Sequence, residues 1–66
     1  MKKIFPELAI VYAKEKINEI VDGGCLGTIV FVYGNDAYEV EFVDEHYQTI
    51  DLCTVQGNQI QGELPG

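Results

Sequence analysis

Two stretches of the chain, 37–44 and 49–55, alternate between apolar and polar positions. In "AYEVEFVD", Tyr38, Val40 and Phe42 are set against Glu39, Glu41 and Val43. "TIDLCTV" continues the pattern, with Ile50 and Leu52 set against Thr49, Asp51 and Cys53. A period of two belongs to a half-buried strand. It predicts two strands in which Tyr38, Val40, Phe42, Ile50 and Leu52 face a core while Glu39, Glu41 and Asp51 face away. Ahead of them, "TIVFVY" at Thr28–Tyr33 is an unbroken run of strand formers. "GND" at 34–36 is a hairpin signal, and "DEHYQ" at 44–48 reads as the next turn. Residues 27–55 therefore read as a three-stranded antiparallel meander.

The first of these strands is apolar on both faces. Ile29, Phe31 and Tyr33 lie on one, Val30 and Val32 on the other. Directly opposed residues share a face, so a one-residue change in turn length decides which set joins the core. Either way, one apolar set lies beside Glu39 and Glu41 unless a bulge re-aims part of it. Two explanations compete for this mixed surface. Barrel closure, a bulge or a terminal segment covers the apolar residues. Alternatively, apolar anchors ringed by acids form a partner site, with exposed Phe and Tyr as good anchors.

The preceding segment, "LAIVYAKEKINEIVD" at 8–22, supports two readings. Leu8, Val11, Tyr12, Glu15, Ile17, Ile20 and Val21 approximate helical spacing, with Pro6 at the first turn and Gly23-Gly24 as a stop. "LAIVY" is also a short apolar run of the kind that forms a buried strand. Periodicity leans towards the helix. "GGCLG" follows as a glycine-punctuated turn. The tail "QGNQIQGELPG" is rich in turn residues, with Ile60 as a last core contact on a short strand or helical turn.

Size and charge narrow the function. Sixty-six residues make one domain, 1–66, and a chain this short buries only about 60% of its unfolded surface. The net charge is −7, from eleven acids against four basic residues. That argues against nucleic acid, whose phosphates call for Lys and Arg, and against an anionic membrane surface. It suits a basic protein partner, and it also serves solubility. The opening "MKKIFPELAIVYA" has two lysines before an apolar stretch, but Pro6 and Glu7 interrupt it and Leu8–Ala13 is short for a signal peptide. No apolar run approaches the roughly 20 residues of a membrane span. The expected location is cytoplasmic. Cys25 and Cys53 then read as two thiols in a reducing compartment, with a bridge between them as the alternative.

No residue names a reaction. Glu39 and Glu41 sit two apart on one strand, side by side, whereas glycosidases set their acids across a cleft. Cys25 lies between glycines, where backbone N–H groups can lower a thiol pKa, but a nucleophile needs a base and His46 belongs to a different turn. Two cysteines and one histidine make no metal-ligand cluster, and the glycine spacing fits neither a P-loop nor a dinucleotide fingerprint. The expectation is a protein that is not an enzyme and has neither cofactor nor metal.

The stretch "GGCLGTIVFVYGNDAYEVEFVDEHYQTIDLCTV" resembles the bacterial family called domain of unknown function 4926. Gly24, Gly27-Thr28-Ile29-Val30, Val32-Tyr33, Tyr38-Glu39-Val40-Glu41-Phe42, Asp44, Thr49 and Leu52 carry the likeness, which extends upstream to "ELAIVYAKEKI" and downstream to "NQI". Cys25 departs from the family pattern by replacing an acid. Phe31 stands where Glu is frequent, and "EHYQT" replaces an acid-Gly-x-Thr turn. The glycine-turn-strand arrangement is also similar to small SH3-like barrels of the KOW type. The resemblance implies a first strand at 8–14 and a long loop at 15–23, and no activity.

The combined expectation is an all-β, five-stranded SH3-like barrel, largely an antiparallel meander. Its function would be protein binding, as an antitoxin-like or immunity-like inhibitor of a basic partner, through Phe31, Tyr33, Glu39, Glu41 and Asp51. The alternative is a structural or assembly module that forms a homodimer through the same face. A KOW-like RNA-binding role fits the fold but is opposed by the charge.

Overall fold

The structure, a computed structural model, describes residues 4–62. The two N-terminal lysines and the end of the turn-rich tail lie outside them. Five strands make one antiparallel sheet: β1 (Ile10–Ala13), β2 (Leu26–Gly34), β3 (Ala37–Val43), β4 (Thr49–Gln56) and β5 (Ile60–Gly62). A 3-10 turn, Gly57–Gln59, joins the last two. Spatial order is β4-β3-β2-β1-β5, so β1 to β4 form a meander and β5 returns beside β1.

That connection forces the sheet to curl. Laid flat, the outer two of five strands would lie roughly 19 Å apart. The chain passes from Gln56 on β4 to Ile60 on β5 in four steps, a reach of about 14 Å at full extension. The sheet therefore rolls into a small barrel-like shape around Val11, Ala13, Val21, Ile29, Tyr38, Val40, Phe42, Val55 and Ile60, all essentially without exposure. Phe5 caps one side of this core. Its ring meets Tyr38 edge-on at 5.6 Å, and its N–H donates to the buried Tyr38 hydroxyl at 3.2 Å.

The ambiguous N-terminal segment is strand and loop, not helix. Val11 and Ala13 alternate into the core while Ile10 and Tyr12 point out, and Val11 pairs with Gly27 on β2. Pairing of this kind outweighs a modest helix propensity. Gly27 lets the strands close up: a Cβ there would stand 2.6 Å from Val40 Cγ1 and 2.9 Å from the Glu41 carbonyl oxygen. The loop after β1 is held by Asn18. Its Oδ1 accepts from the N–H groups of Ile20 and Val21, both at 2.8 Å, and this drives Val21 into the core.

The β2–β3 hairpin turns through Asn35 and Asp36, both at positive φ, as a two-residue type I′ turn requires. Bulges break the register between Ile29 and Phe31 and again between Val32 and Gly34. They sort the doubly apolar strand. Ile29 opposes Val40 and Val32 opposes Tyr38 on the core side, while Phe31 opposes Glu39 on the outer side.

A third bulge corrects the reading of β4. Phe42 pairs with Asp51 and Val43 with Thr49, so Ile50 is the extra residue. Ile50 still packs against the core. Beyond it the parity flips: Cys53 and Val55 point inward, and Leu52, expected inside, is 55% exposed. Asp51, expected beside Glu39 and Glu41, lies opposite Phe42 on the other face. Alternation cannot carry across a bulge, because one inserted residue exchanges the faces.

β4 forms one edge of the sheet. Along an antiparallel edge, every second backbone N–H points away from the partner strand. Here the Leu52 N–H donates to Asp51 Oδ1 at 3.0 Å and the Gln56 N–H to Gln59 Oε1 at 2.8 Å.

Candidate functional site

The outer face of β2, β3 and β4 brings together four of the five residues expected at a binding site. One rung runs Ile10, Thr28, Glu41, Leu52, and the next runs Phe31, Glu39, Thr54. Phe31 is 49% exposed and Tyr33 53%. Their rings meet edge-on at 4.9 Å, so the two aromatics form one platform.

The acids on this face are positioned by hydroxyls. Glu39 Oε1 accepts from the Tyr33 hydroxyl at 2.8 Å and from Thr54 Oγ1 at 2.6 Å. Glu41 Oε2 accepts from Thr49 Oγ1. The bond to Glu39 raises the Tyr33 phenol above its ordinary pKa, so it stays a neutral donor. None of these partners is a cation. Among the described residues, Lys16 pairs with Asp22 at 2.9 Å and His46 Nε2 lies 3.7 Å from a Glu45 oxygen, and neither contact involves Glu39 or Glu41. Glu39 and Glu41 thus present uncompensated charge beside exposed rings.

Asp51 belongs elsewhere. Its Oδ2 accepts from Asn18 Nδ2 at 2.9 Å and Cys53 Sγ at 3.3 Å, and these bonds hold its carboxyl below the usual aspartate pKa, the bond from Asn18 most of all. Its task is to tie the loop at Asn18 to β4. Sequence reasoning missed this pair, since nothing local marks residues 33 positions apart as partners. It also missed Thr49 and Thr54 as partners of the glutamates. The legible signal was threonine at polar positions of a strand facing two acids.

The thiols are not activated. Cys25 is half-buried, and Cys53 is buried; both are free. Burial, followed by the carboxylates of Asp22 and Asp44, raises the Cys25 pKa. Burial and the bond to Asp51 push Cys53 up to about 11. The lowered Cys25 pKa expected from its glycine neighbours is thus reversed: its Sγ donates to the Val43 carbonyl at 3.3 Å.

The described residues contain no group of three or more His, Cys, Asp or Glu placed to hold a metal ion, and no helix long and apolar enough to cross a membrane. The model of the family described as Domain of unknown function (DUF4926) matches residues 7–62. The chain belongs to that family. No curated protein and no solved structure matches it.

The matched DUF4926 region contains all five strands, the loop carrying Asn18 and the whole outer face. The face is thus part of the DUF4926 domain itself. Phe31, which sits where relatives were expected to carry Glu, is the ring that opposes Glu39.

Proposed function

We propose that this protein is a small binding module that docks a basic partner protein on the outer face of β2–β3–β4. The supporting observation is the grouping of Phe31, Tyr33 and Leu52, each about half exposed, around two glutamates that no cation neutralises among the described residues. Rings and Leu52 supply burial on docking. The glutamates steer a positive surface into place and reject acidic ones. In its most specific form the module is an antitoxin-like or immunity-like inhibitor. A protein acting on nucleic acid needs a basic surface, and an acidic face of this kind can cover it.

The test is capture from the protein's own host at low and high salt, followed by titration of the purified partner with variants. A basic partner should be retained at low salt, released at high salt and lost with Glu39→Lys/Glu41→Lys. Unchanged affinity of that double variant for the partner would refute the site. A salt-resistant dimer with no partner would instead favour assembly through the same face.

A further inference from the structure

At one end of the sheet, a groove of about 370 Å³ opens beside the outer face. Its apolar lining includes Leu26, Val43 and Ile50, and its acids are Asp22, Asp44 and Glu45. Leu26 and Val43 are paired across β2 and β3. Val43 lies two residues beyond Glu41 on the same strand, so it shares Glu41's face at a spacing of about 7 Å. The groove is thus continuous with the face already described.

Its charge is mainly negative, with His46 Nε2 lying 3.7 Å from a Glu45 oxygen at its rim. Lys16 pairs with Asp22, while Asp44 Oδ1 accepts only backbone N–H groups, from His46 at 2.7 Å and Gln48 at 3.0 Å. Those bonds fix the Asp44 carboxylate without neutralising it. The Cys25 thiol, also in the lining, donates to the Val43 carbonyl at 3.3 Å and is kept protonated first by burial and then by Asp22 and Asp44. An apolar floor beneath carboxylates matches one kind of side chain: a methylene stem with a cationic head. The volume falls within the range of small-ligand clefts.

We propose that this groove receives an arginine or lysine side chain of the basic partner, its stem on Leu26, Val43 and Ile50 and its head between Asp44 and Glu45. The inference rests on the docking face proposed above and adds the anchor that fixes the partner's register.

The probe is N-acetyl-arginine amide, with N-acetyl-citrulline amide as its neutral isostere, followed by amide NMR on the whole chain. Arginine amide should give saturable shifts at Gly23, Gly24, Cys25 and Glu45 with a millimolar Kd, and citrulline amide should not. Asp44→Asn/Glu45→Gln should weaken binding roughly fivefold, the scale of two exposed ion pairs. Asn at 44 retains the Oδ1 acceptor that shapes the turn. Shifts confined to Phe31, Glu39 and Thr54 would overturn the groove and leave the face standing. No shifts anywhere, or equal shifts with citrulline amide, would also overturn the groove. The face would then be judged by its own partner titration.

Discussion

Asn18 and Asp51 are joined across the molecule: the Asn18 amide donates to Asp51 Oδ2 at 2.9 Å, while its own oxygen holds the Ile20 and Val21 N–H groups. One side chain therefore shapes a loop and fastens it to β4. Asn18→Ala removes these three bonds, and the one its amide donates to Cys53 Sγ at 3.4 Å, and loosens the seating of Val21. The expected loss is about 1–2 kcal/mol, on the scale of a lost cap and a charge-assisted bond. Urea unfolding checks it, and amide exchange should quicken first between residues 17 and 22.

The same pair gives an acid-side pH dependence. The Asp51 pKa is lowered in the fold from its ordinary 3.8. Its contribution is present above that value and fades as pH falls through the lowered folded pKa. Asp51→Asn should flatten this part of the acid branch, as read by thermal unfolding between neutral pH and pH values below 3.8.

The parity flip at Ile50 separates two neighbours. Leu52→Ala, on the surface, should change stability by less than about 0.5 kcal/mol. Val55→Ala, in the core, should lose roughly 2 kcal/mol through transfer and cavity. Equal losses would mean that β4 has no bulge. Gly27→Ala offers a second check on strand spacing. The added methyl meets Val40 and the Glu41 carbonyl, and the overpacking should cost roughly 2–3 kcal/mol.

Cys53 gives an alkaline counterpart. Its folded pKa is raised from 9.0 to about 11, so its contribution is full below 9.0 and is lost as pH rises through 11. At mildly alkaline pH both native thiols should react slowly with a thiol reagent and quickly once unfolded, with Cys25 the faster of the two because Cys53 is the more buried. Rapid native labelling of Cys53 would contradict its buried, protonated state.

The sequence carried the strands well, and their faces along stretches that no bulge interrupts. Tyr38, Val40 and Phe42 were readable because β3 alternates unbroken from end to end. Leu52 was misplaced because a bulge leaves no composition signal: "TIDLCTV" alternates equally well in either parity. Phe5 and Val21 were missed as core residues because each lies outside a strand and is buried by long-range contacts. At the candidate site, Phe31, Tyr33, Glu39 and Glu41 were legible as a mixed acidic and apolar surface. Asp51 was not, since the bulge moves it to the opposite face, where Asn18 claims it.

Asp51 and Gln59 have one more effect. Of the N–H groups that alternate outward along β4 beyond its bulge, those of Leu52, Thr54 and Gln56, two are already occupied by the chain's own side chains. A bare edge strand invites copies of itself to add on, ribbon-fashion. Beyond its bulge this one offers a newcomer Thr54 alone between two filled positions, so ribbon-fashion addition along β4 finds its hydrogen-bonding row already interrupted.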